Sequence, residues 1–546
     1  MAYGVALDLG TSGYRSHLVD LSNHGKIIST SITMRHPLPG ANIMDHLHFW
    51  LENGNQVGHR IIMETVDKLI ALHGAPANEI VRVSCCGNPA QLSMFENIEI
   101  RDLAFAGQSL LKRLNVKVPE RKAHSLKADE LGFCNVRKDA EVRIPPSIRH
   151  EIGADALAMI MKTGMMDKKE TCMVTDYGTN AEMGLLYKGE LYTGSAAAGP
   201  AMEGQSIEFG MLAAPEAISD VAIGPDGKWY NYVLDSKLKP IKTALIDPRT
   251  GSGDLLENVP ARGITGTGCV ACVAMGLESG IIQLPNVATK DKKMHLMNGI
   301  SFTENDLHEA GKAMGAIRAG HRTLIEEVGI DDDDVKTMYL AGASGTYVDP
   351  LKAQTVGLVP RRIDKTVQAG NTSLMMAYDI LIDDNGLDHM QDVANAISSK
   401  HIMFATSKAF EDIYVNEIAY WDEGMPMEMF NKYLIDGGYR PLPPIKRPKE
   451  TIRIVSSDIP ILGDRGLKVL DQVGVYLIGK FDGCTGCKSC EKRCPERALK
   501  VQELSKGDYR IQVETELCLG TACKNCESAC PVKCYNFSRL KVVNRS

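Results

Sequence analysis

Two cysteine ladders near the end of the chain limit what it can fold into. The first, "CTGCKSCEKRCP", sets Cys484, Cys487, Cys490 and Cys494 in an x2, x2, x3 rhythm closed by a proline. The second, "CLGTACKNCESACP", repeats that rhythm at Cys518, Cys523, Cys526 and Cys530, with two extra residues in its first gap. Of 15 cysteines, nine fall between Cys484 and Cys534. A secreted disulfide framework would not crowd its cysteines into one end of a 546-residue chain. The pattern implies thiolate ligation in a reducing compartment.

The spacing is that of paired [4Fe–4S] clusters, in which the fourth cysteine of each run ligates the other cluster. Cys484, Cys487, Cys490 and Cys530 are then expected to hold one cluster, and Cys518, Cys523, Cys526 and Cys494 the other. Zinc is the alternative, but zinc ribbons use well-separated Cys-x2-Cys knuckles rather than four-cysteine runs ending in Cys-Pro. Cys534 is left over as a packed thiol. Tyr509, Tyr535 and Phe537 are placed to pack over the clusters and exclude water.

The other end of the chain has a different grammar. "YGVALDLGTSGYRSHLVDLSNHGKIISTSIT" predicts strands over Tyr3–Asp8, His17–Asp20 and Lys26–Thr33, with a tight turn at Gly10, Thr11, Ser12 and Gly13. The pattern returns in "TCMVTDYGTNAEMGLLYKGELYTGSAAAG" as strands Cys172–Thr175, Glu182–Tyr187 and Glu190–Gly194, with the turn at Gly178, Thr179 and Asn180. Each copy ends its first strand on an aspartate, Asp8 or Asp176. Such turns present N–H groups and hydroxyls to phosphate oxygens, and the acid holds magnesium. "MYLAGASGTYVDP" adds an apolar strand entering Gly342, Ala343, Ser344 and Gly345 and then a helix, suited to a nucleoside or its phosphates. Helices are expected over Val57–His73, Asp306–Gly329 and Ser373–Ile382. "DDDD" at 331–334 reads as a solvated loop, and Cys85, Cys86, Cys269 and Cys272 as packed thiols.

At these residues the chain resembles the actin, sugar kinase and Hsp70 superfamily of ATPases. Asp8–Gly13 match its first phosphate loop, Asp176–Asn180 its second, and Gly342–Gly345 its adenosine loop, departing from the usual Gly-Gly pair. "NGNQVGHRI", "CCGNPAQ", "IGADALAMI", "TDYGTNAEMGL", "GSAAAGPAMEG", "GITGTGCVACVAMGLESGII", "LAGASGTYVDPLKAQTVGLVP" and "AGNTSLMMAY" follow the order seen in reductive activators of corrinoid proteins. The two C-terminal runs make the whole resemble the methanogen activases of methylamine methyltransferase corrinoid proteins.

The resemblance implies a two-lobed actin/Hsp70-like α/β ATPase core with a duplicated β-sheet motif, plus a small α+β ferredoxin-like 2[4Fe–4S] domain. The expected boundaries are a first lobe over 1–146, a second over 147–435, a proline-rich linker and connecting module over 436–474, and the cluster domain over 475–546. It also implies ATP and Mg2+ held through Asp8 and Asp176 and their loops, with these two aspartates as the catalytic candidates. The implied reaction is ATP-assisted one-electron reduction of cobalt(II) to cobalt(I), in support of methanogenesis from methylamines. The partners would be corrinoid proteins of mono-, di- and trimethylamine methyltransferases and an external low-potential electron donor. Competing readings are an electron donor of the acyl-CoA dehydratase activator type, a metabolite kinase, and a redox-sensing, ATP-gated binding protein. A net charge of −7 gives nucleic acid no footprint. The absence of an apolar run of about 18 residues argues against membrane insertion and for the cytoplasm. His46, His48 and His59 are read as structural or exposed rather than as cobalt contacts.

Overall fold

The alternating apolar runs at the front build a three-stranded meander, Tyr3–Leu9, Tyr14–Asp20 and Lys26–Thr33, each strand antiparallel to the next. The computed structural model describes residues 2–545 apart from 41, 106–107, 149–151, 200, 202–203, 205 and 398. The sheet is completed in the order Leu467–Leu470, Lys26–Thr33, Tyr14–Asp20, Tyr3–Leu9, Ile80–Gly87, Glu141–Ile144 and His124–Lys127. Its counterpart runs Ser399–His401, Glu190–Ala197, Asn180–Tyr187, Cys172–Tyr177, Thr337–Ala341, Lys365–Gly370 and Glu450–Arg453. In both, the first meander strand has an antiparallel neighbour on one side and a parallel one, Ile80–Gly87 or Thr337–Ala341, on the other. The duplication extends to the fifth strand. Each first strand runs past its aspartate, because Leu9 and Tyr177 are themselves buried.

The chain divides into two compact units, residues 1–154, 377–391 and 463–546 in one, and 155–376 and 392–462 in the other. The four segments read from the sequence do not nest in these units, since 147–154 and 377–391 fall in the first and 436–474 is divided between the two. In the second unit a five-stranded sheet over Ala217–Ile264 adds to the core. The helix Glu304–Val328 crosses this core, started by a Thr303/Asp306 capping box and stopped by Gly329 in the left-handed region at φ 75°. It lies against the helix Lys408–Glu423 at Gly311 and Gly315, where a methyl would sit 2.9 Å from the Cβ atoms of Trp421 and Glu417. Between them Arg318 donates two hydrogen bonds to Glu417, from Nε at 2.6 Å and Nη2 at 2.5 Å, with both side chains buried.

Two expectations need correction. The 331–334 acidic run is solvated only in part, with Asp331, Asp333 and Asp334 exposed. Asp332 is buried and ion-paired with Arg322, Asp333 pairs with Arg362 at 2.7 Å, and Asp331 with Arg440 at 2.9 Å. Arg322 on the preceding helix fixes the buried member of the run, and Arg362 and Arg440, both further along the chain, pair with exposed members. The segment after the proline-rich stretch also forms no sheet of its own. Glu450–Arg453 is an edge strand of the second-unit sheet and Leu467–Leu470 an edge strand of the first-unit sheet, while Tyr476–Gly479 joins the sheet of the cysteine-rich region. That last sheet runs Leu499–Ser505, Asp508–Glu514, Tyr476–Gly479 and Lys541–Val543. Among the described residues no helix is long and apolar enough to cross a membrane.

Removing one partner of a buried, bidentate ion pair strands the other charge, at a cost of about 3–5 kcal/mol. Glu417→Ala should lower the urea-unfolding free energy of the second unit by that amount, and Glu411→Ala, exposed on the same helix, by less than about 0.5 kcal/mol.

Candidate functional site

In the first unit the loop after Tyr3–Leu9 is held tightly. A side chain at Gly10 would meet the Gly13 carbonyl at 2.8 Å, so only glycine lets the turn close. Asp8 is buried opposite Arg15, its register partner on the next strand, with Arg15 Nη1 3.8 Å from Asp8 Oδ2. Thr11 Oγ1 accepts a hydrogen bond from Asn88 Nδ2 at 3.0 Å. Asn88 also caps the helix Pro89–Phe95, its Oδ1 accepting from the Gln91 amide. Arg15 and Asn88 were not among the expected site residues. Asn88 lies in the quoted motif "CCGNPAQ", and the position after a strand and before Pro89 was its only signal.

In the second unit Asp176 stands beside the parallel strand Thr337–Ala341, with Ala341 its register partner. The turn leaving that strand lies directly over it. Gly342 has φ 76°, and a methyl there would sit 2.1 Å from Asp176 Oδ1. The structure therefore brings together the second phosphate loop and the Gly342–Gly345 loop. The helix that follows is short, Gly342–Tyr347, and a second begins at Pro350. Across the hairpin Asp176 pairs in register with Glu182, where the first unit has Asp8 opposite Arg15. Two carboxylates facing each other across a hairpin repel unless a cation lies between them. The two copies thus differ in the charge that stands opposite the aspartate. Of the motif "GSAAAGPAMEG", Pro200, Met202 and Glu203 lie outside the described residues.

The two cysteine ladders fold alike. Cys487 and Cys523 are each followed by a lysine in the left-handed region, Lys488 at φ 59° and Lys524 at φ 43°, and then by a short helix, Ser489–Arg493 or Asn525–Ser528. Gly486 is pinned under Tyr509, whose ring would lie 2.3 Å from a methyl there. Tyr535 and Phe537 are buried, and Phe481 meets Tyr535 edge-on at 5.1 Å. Among the described residues no three His, Cys, Asp or Glu side chains close on one point as around a single metal ion. The thiols instead fall into two loose groups. Burial pushes Cys518 up to about 12, and nearby Cys526, Cys494 and Cys523 raise it further. Burial pushes Cys490 up to about 11, with Cys526 and Cys484 close by. Cys530 and Cys534 have their sulfurs 3.7 Å apart, and Cys484 lies close to Cys534. The neighbours of Cys518 are the other three members of one crossed set, while Cys484 of the second set lies near Cys490 and near Cys534, the partner of Cys530; eight ladder thiols grouped in this way suit two clusters. Of the three histidines, His46 is buried, His48 is exposed against Glu52 at 2.9 Å, and His59 bonds the carbonyls of Met94 and Leu131 at 3.2 Å.

The duplicated sheet with its loops and the paired cysteine runs define a class, an ASKHA-fold protein carrying a 4Fe-4S dicluster domain. Residues 170–431 match the family described as the C-terminal domain of RACo, the ASKHA domain, residues 3–168 the RACo middle region, and residues 483–534 the 4Fe-4S dicluster domain. The chain is 44% identical over 545 residues, 99% of each chain, to the [Co(II) methylated amine-specific corrinoid protein] reductase of Methanosarcina barkeri. It belongs to that reductase's family. It is also 24% identical to the corrinoid activation enzyme RamQ of Eubacterium limosum, over 78% of this chain and 71% of that one. A solved reductive activator for corrinoid, iron-sulfur protein shares the fold, with a TM-score of 0.62, 24% identity, and 76% of this chain and 66% of that one covered.

Two outcomes follow. In the left-handed region Ala costs about 1–2 kcal/mol more than Gly, and at 342 its methyl also displaces the Asp176 carboxylate. Gly342→Ala should weaken Mg-ATP binding by at least about tenfold in a calorimetric titration while leaving iron content unchanged. If the cluster ligands cross, Cys494→Ala with Cys518→Ala removes one cluster, leaving about four irons per chain of about eight. Cys494→Ala with Cys484→Ala removes both, as anaerobic iron and sulfide assays would read.

Proposed function

We propose that this protein reductively activates corrinoid proteins of methylamine methyltransferases, returning cobalt(II) to cobalt(I) by one electron with ATP hydrolysis assisting. The observation that carries this reading is the union in one chain of a dicluster cysteine fold with two copies of an aspartate-ended phosphate-type loop. Near-full-length similarity to a reductase named for methylated-amine corrinoid proteins supports the substrate class. Thiol ligation in a reducing compartment supports action in the cytoplasm, with an external low-potential donor.

The chain's own residues divide the work. The amides and hydroxyls of Gly10–Gly13 and of Gly178, Thr179 and Asn180 receive phosphate oxygens. Asp176, facing Glu182, would help hold Mg2+, which would offset the charge of the phosphates, whereas Asp8, offset by Arg15, orients its loop and adds less charge. Gly342, Ala343, Ser344 and Gly345 border the same carboxylate and receive the nucleoside side of ATP. Neither aspartate acts as a nucleophile. Their task is to make one arrangement of the protein favourable only while the triphosphate and its metal are present. The eight ladder cysteines would hold two [4Fe–4S] clusters, which supply one-electron transfer when bound. Tyr535, Phe537 and Phe481 keep water from the cysteine groups.

The experiment is reduction of a purified methylamine corrinoid protein, followed by its visible spectrum with and without ATP. Asp176→Ala should lower the ATP-dependent rate by about 10²–10³-fold, the usual loss for a key charge-stabilising group, with full iron retained. Reduction at full rate without ATP would refute the coupling.

A further inference from the structure

A chain of buried polar contacts leaves the first phosphate-type loop and ends at one of the cysteine ladders, all within the first unit. The residue after the loop, Tyr14, is buried, with its hydroxyl 3.0 Å from His36 Nε2. The Leu38 amide donates to His36 Nδ1 at 3.1 Å. Burial holds the His36 ring neutral, lowering it to about 4, so its one proton sits on Nε2. From there it is shared between the Tyr14 oxygen and Gln91 Oε1, the latter at 3.0 Å. That fixes the Gln91 amide, whose Nε2 donates to His46 Nδ1 at 3.0 Å, and His46 stacks on His36 at 3.8 Å. Through its backbone amide Gln91 also bonds Asn88, which bonds Thr11 in the loop itself. Each partner sets the next one's tautomer or amide orientation, so the group has few arrangements.

The far side of His36 carries the cysteine region. The Gly40 amide donates to the Cys518 carbonyl at 2.7 Å, and Thr515 Oγ1 donates to the Pro37 carbonyl at 2.8 Å. A methyl at Gly520 would lie 3.3 Å from Gly40 Cα, so this turn presses on residues 40 and 45. Arg35 Nη2 pairs with Glu496 Oε2 at 3.3 Å, two residues beyond Cys494. Cys494 and Cys518 belong to the same crossed set. Both segments that carry them rest on residues 35–40, whose geometry His36 sets.

We propose that Tyr14, His36 and Gln91 are positioning residues that transmit occupancy of the Asp8–Gly13 loop to the backbone around Cys518, making the cluster held by Cys494, Cys518, Cys523 and Cys526 the nucleotide-responsive one of the two. The proposal rests on the nucleotide reading above and adds to it a path and a choice of cluster. None of the three residues touches the reacting atoms.

The test uses the full-length, iron-loaded protein under anaerobic conditions with a non-hydrolysable ATP analogue and Mg2+. Amide hydrogen exchange reads the Gly40 N–H, whose acceptor is the Cys518 carbonyl, and a redox titration reads the two clusters. In the parent protein the analogue should change Gly40 exchange by about tenfold, an ordinary allosteric coupling, and move the potential of one cluster only. Tyr14→Phe, which removes a single hydroxyl, and Gln91→Leu should keep full iron content and the analogue's affinity yet lose both responses. Gln91→Glu, which can still accept from His36, should recover part of them. If the analogue protects residues 8–13 in the parent but leaves Gly40 and both potentials unmoved, the proposal is overturned and the nucleotide reading survives. Undiminished responses in both Tyr14→Phe and Gln91→Leu overturn it equally. An analogue that does not bind the parent protein overturns both.

Discussion

The parallel pairing of each first meander strand with its neighbour is the constraint on which the rest of the structure depends. In such a sheet the loops leaving two adjacent parallel strands emerge at the same edge, where open α/β sheets place their ligands. Ala341 stands in register with Asp176, and the next residue, Gly342, covers its carboxylate. Shifting either strand by one residue would turn Asp176 to the other face and separate the two loops. In the first unit the same pairing sets Asp8 level with Cys86, two residues before Asn88, and so puts Asn88 within reach of Thr11. Cys85 and Cys86 are buried on the strand that makes this pairing.

Duplication gives the two copies a common frame and leaves them free to differ in charge. Asp8 faces Arg15, whereas Asp176 faces Glu182. A single position on the second meander strand therefore sets whether the aspartate before the turn faces a cation or a second carboxylate. The difference costs nothing in fold, since both positions sit on a strand that any β-compatible residue can join.

Much of this was legible in the sequence because it is local. The ladders repeat at fixed spacing, and the meanders alternate apolar runs with glycine turns. The helix expected over Asp306–Gly329 shows its period, and the structure begins it two residues earlier and ends it one earlier. What was not legible depends on partners distant in the chain. In the acidic run at 331–334 the one buried member, Asp332, stands out only when Arg322 is seen to meet it. The residues after the linker look like a module of their own until their short strands are seen to pair with sheets begun hundreds of residues earlier. Arg15 and Glu182 needed the hairpin register, and the Tyr14–His36–Gln91 contacts needed the sheet, a loop and a helix to be packed together. His46 was read as a lone histidine, and only its stacking on His36 gives it a role.

The position of the cysteine region within the first unit bears on how nucleotide binding and a low-potential electron can be coupled at all. A two-state switch driven by about 5.5 kcal/mol of differential binding changes a ratio by about 10⁴. For one electron that corresponds to about 240 mV, at about 59 mV per decade. Protein surroundings tune iron–sulfur potentials over a wider range than this by charge, exposure and hydrogen bonds to sulfur. Small changes in backbone position at a ligand loop are therefore enough, provided that they are discrete. Contacts such as Gly40 to Cys518 and Thr515 to Pro37 meet that condition, because a hydrogen bond is either made or lost, and a donor left unpaired away from water is costly. A loop tied in this way does not drift. It holds one arrangement or gives it up, which is the behaviour required of an element that must report whether a triphosphate is present.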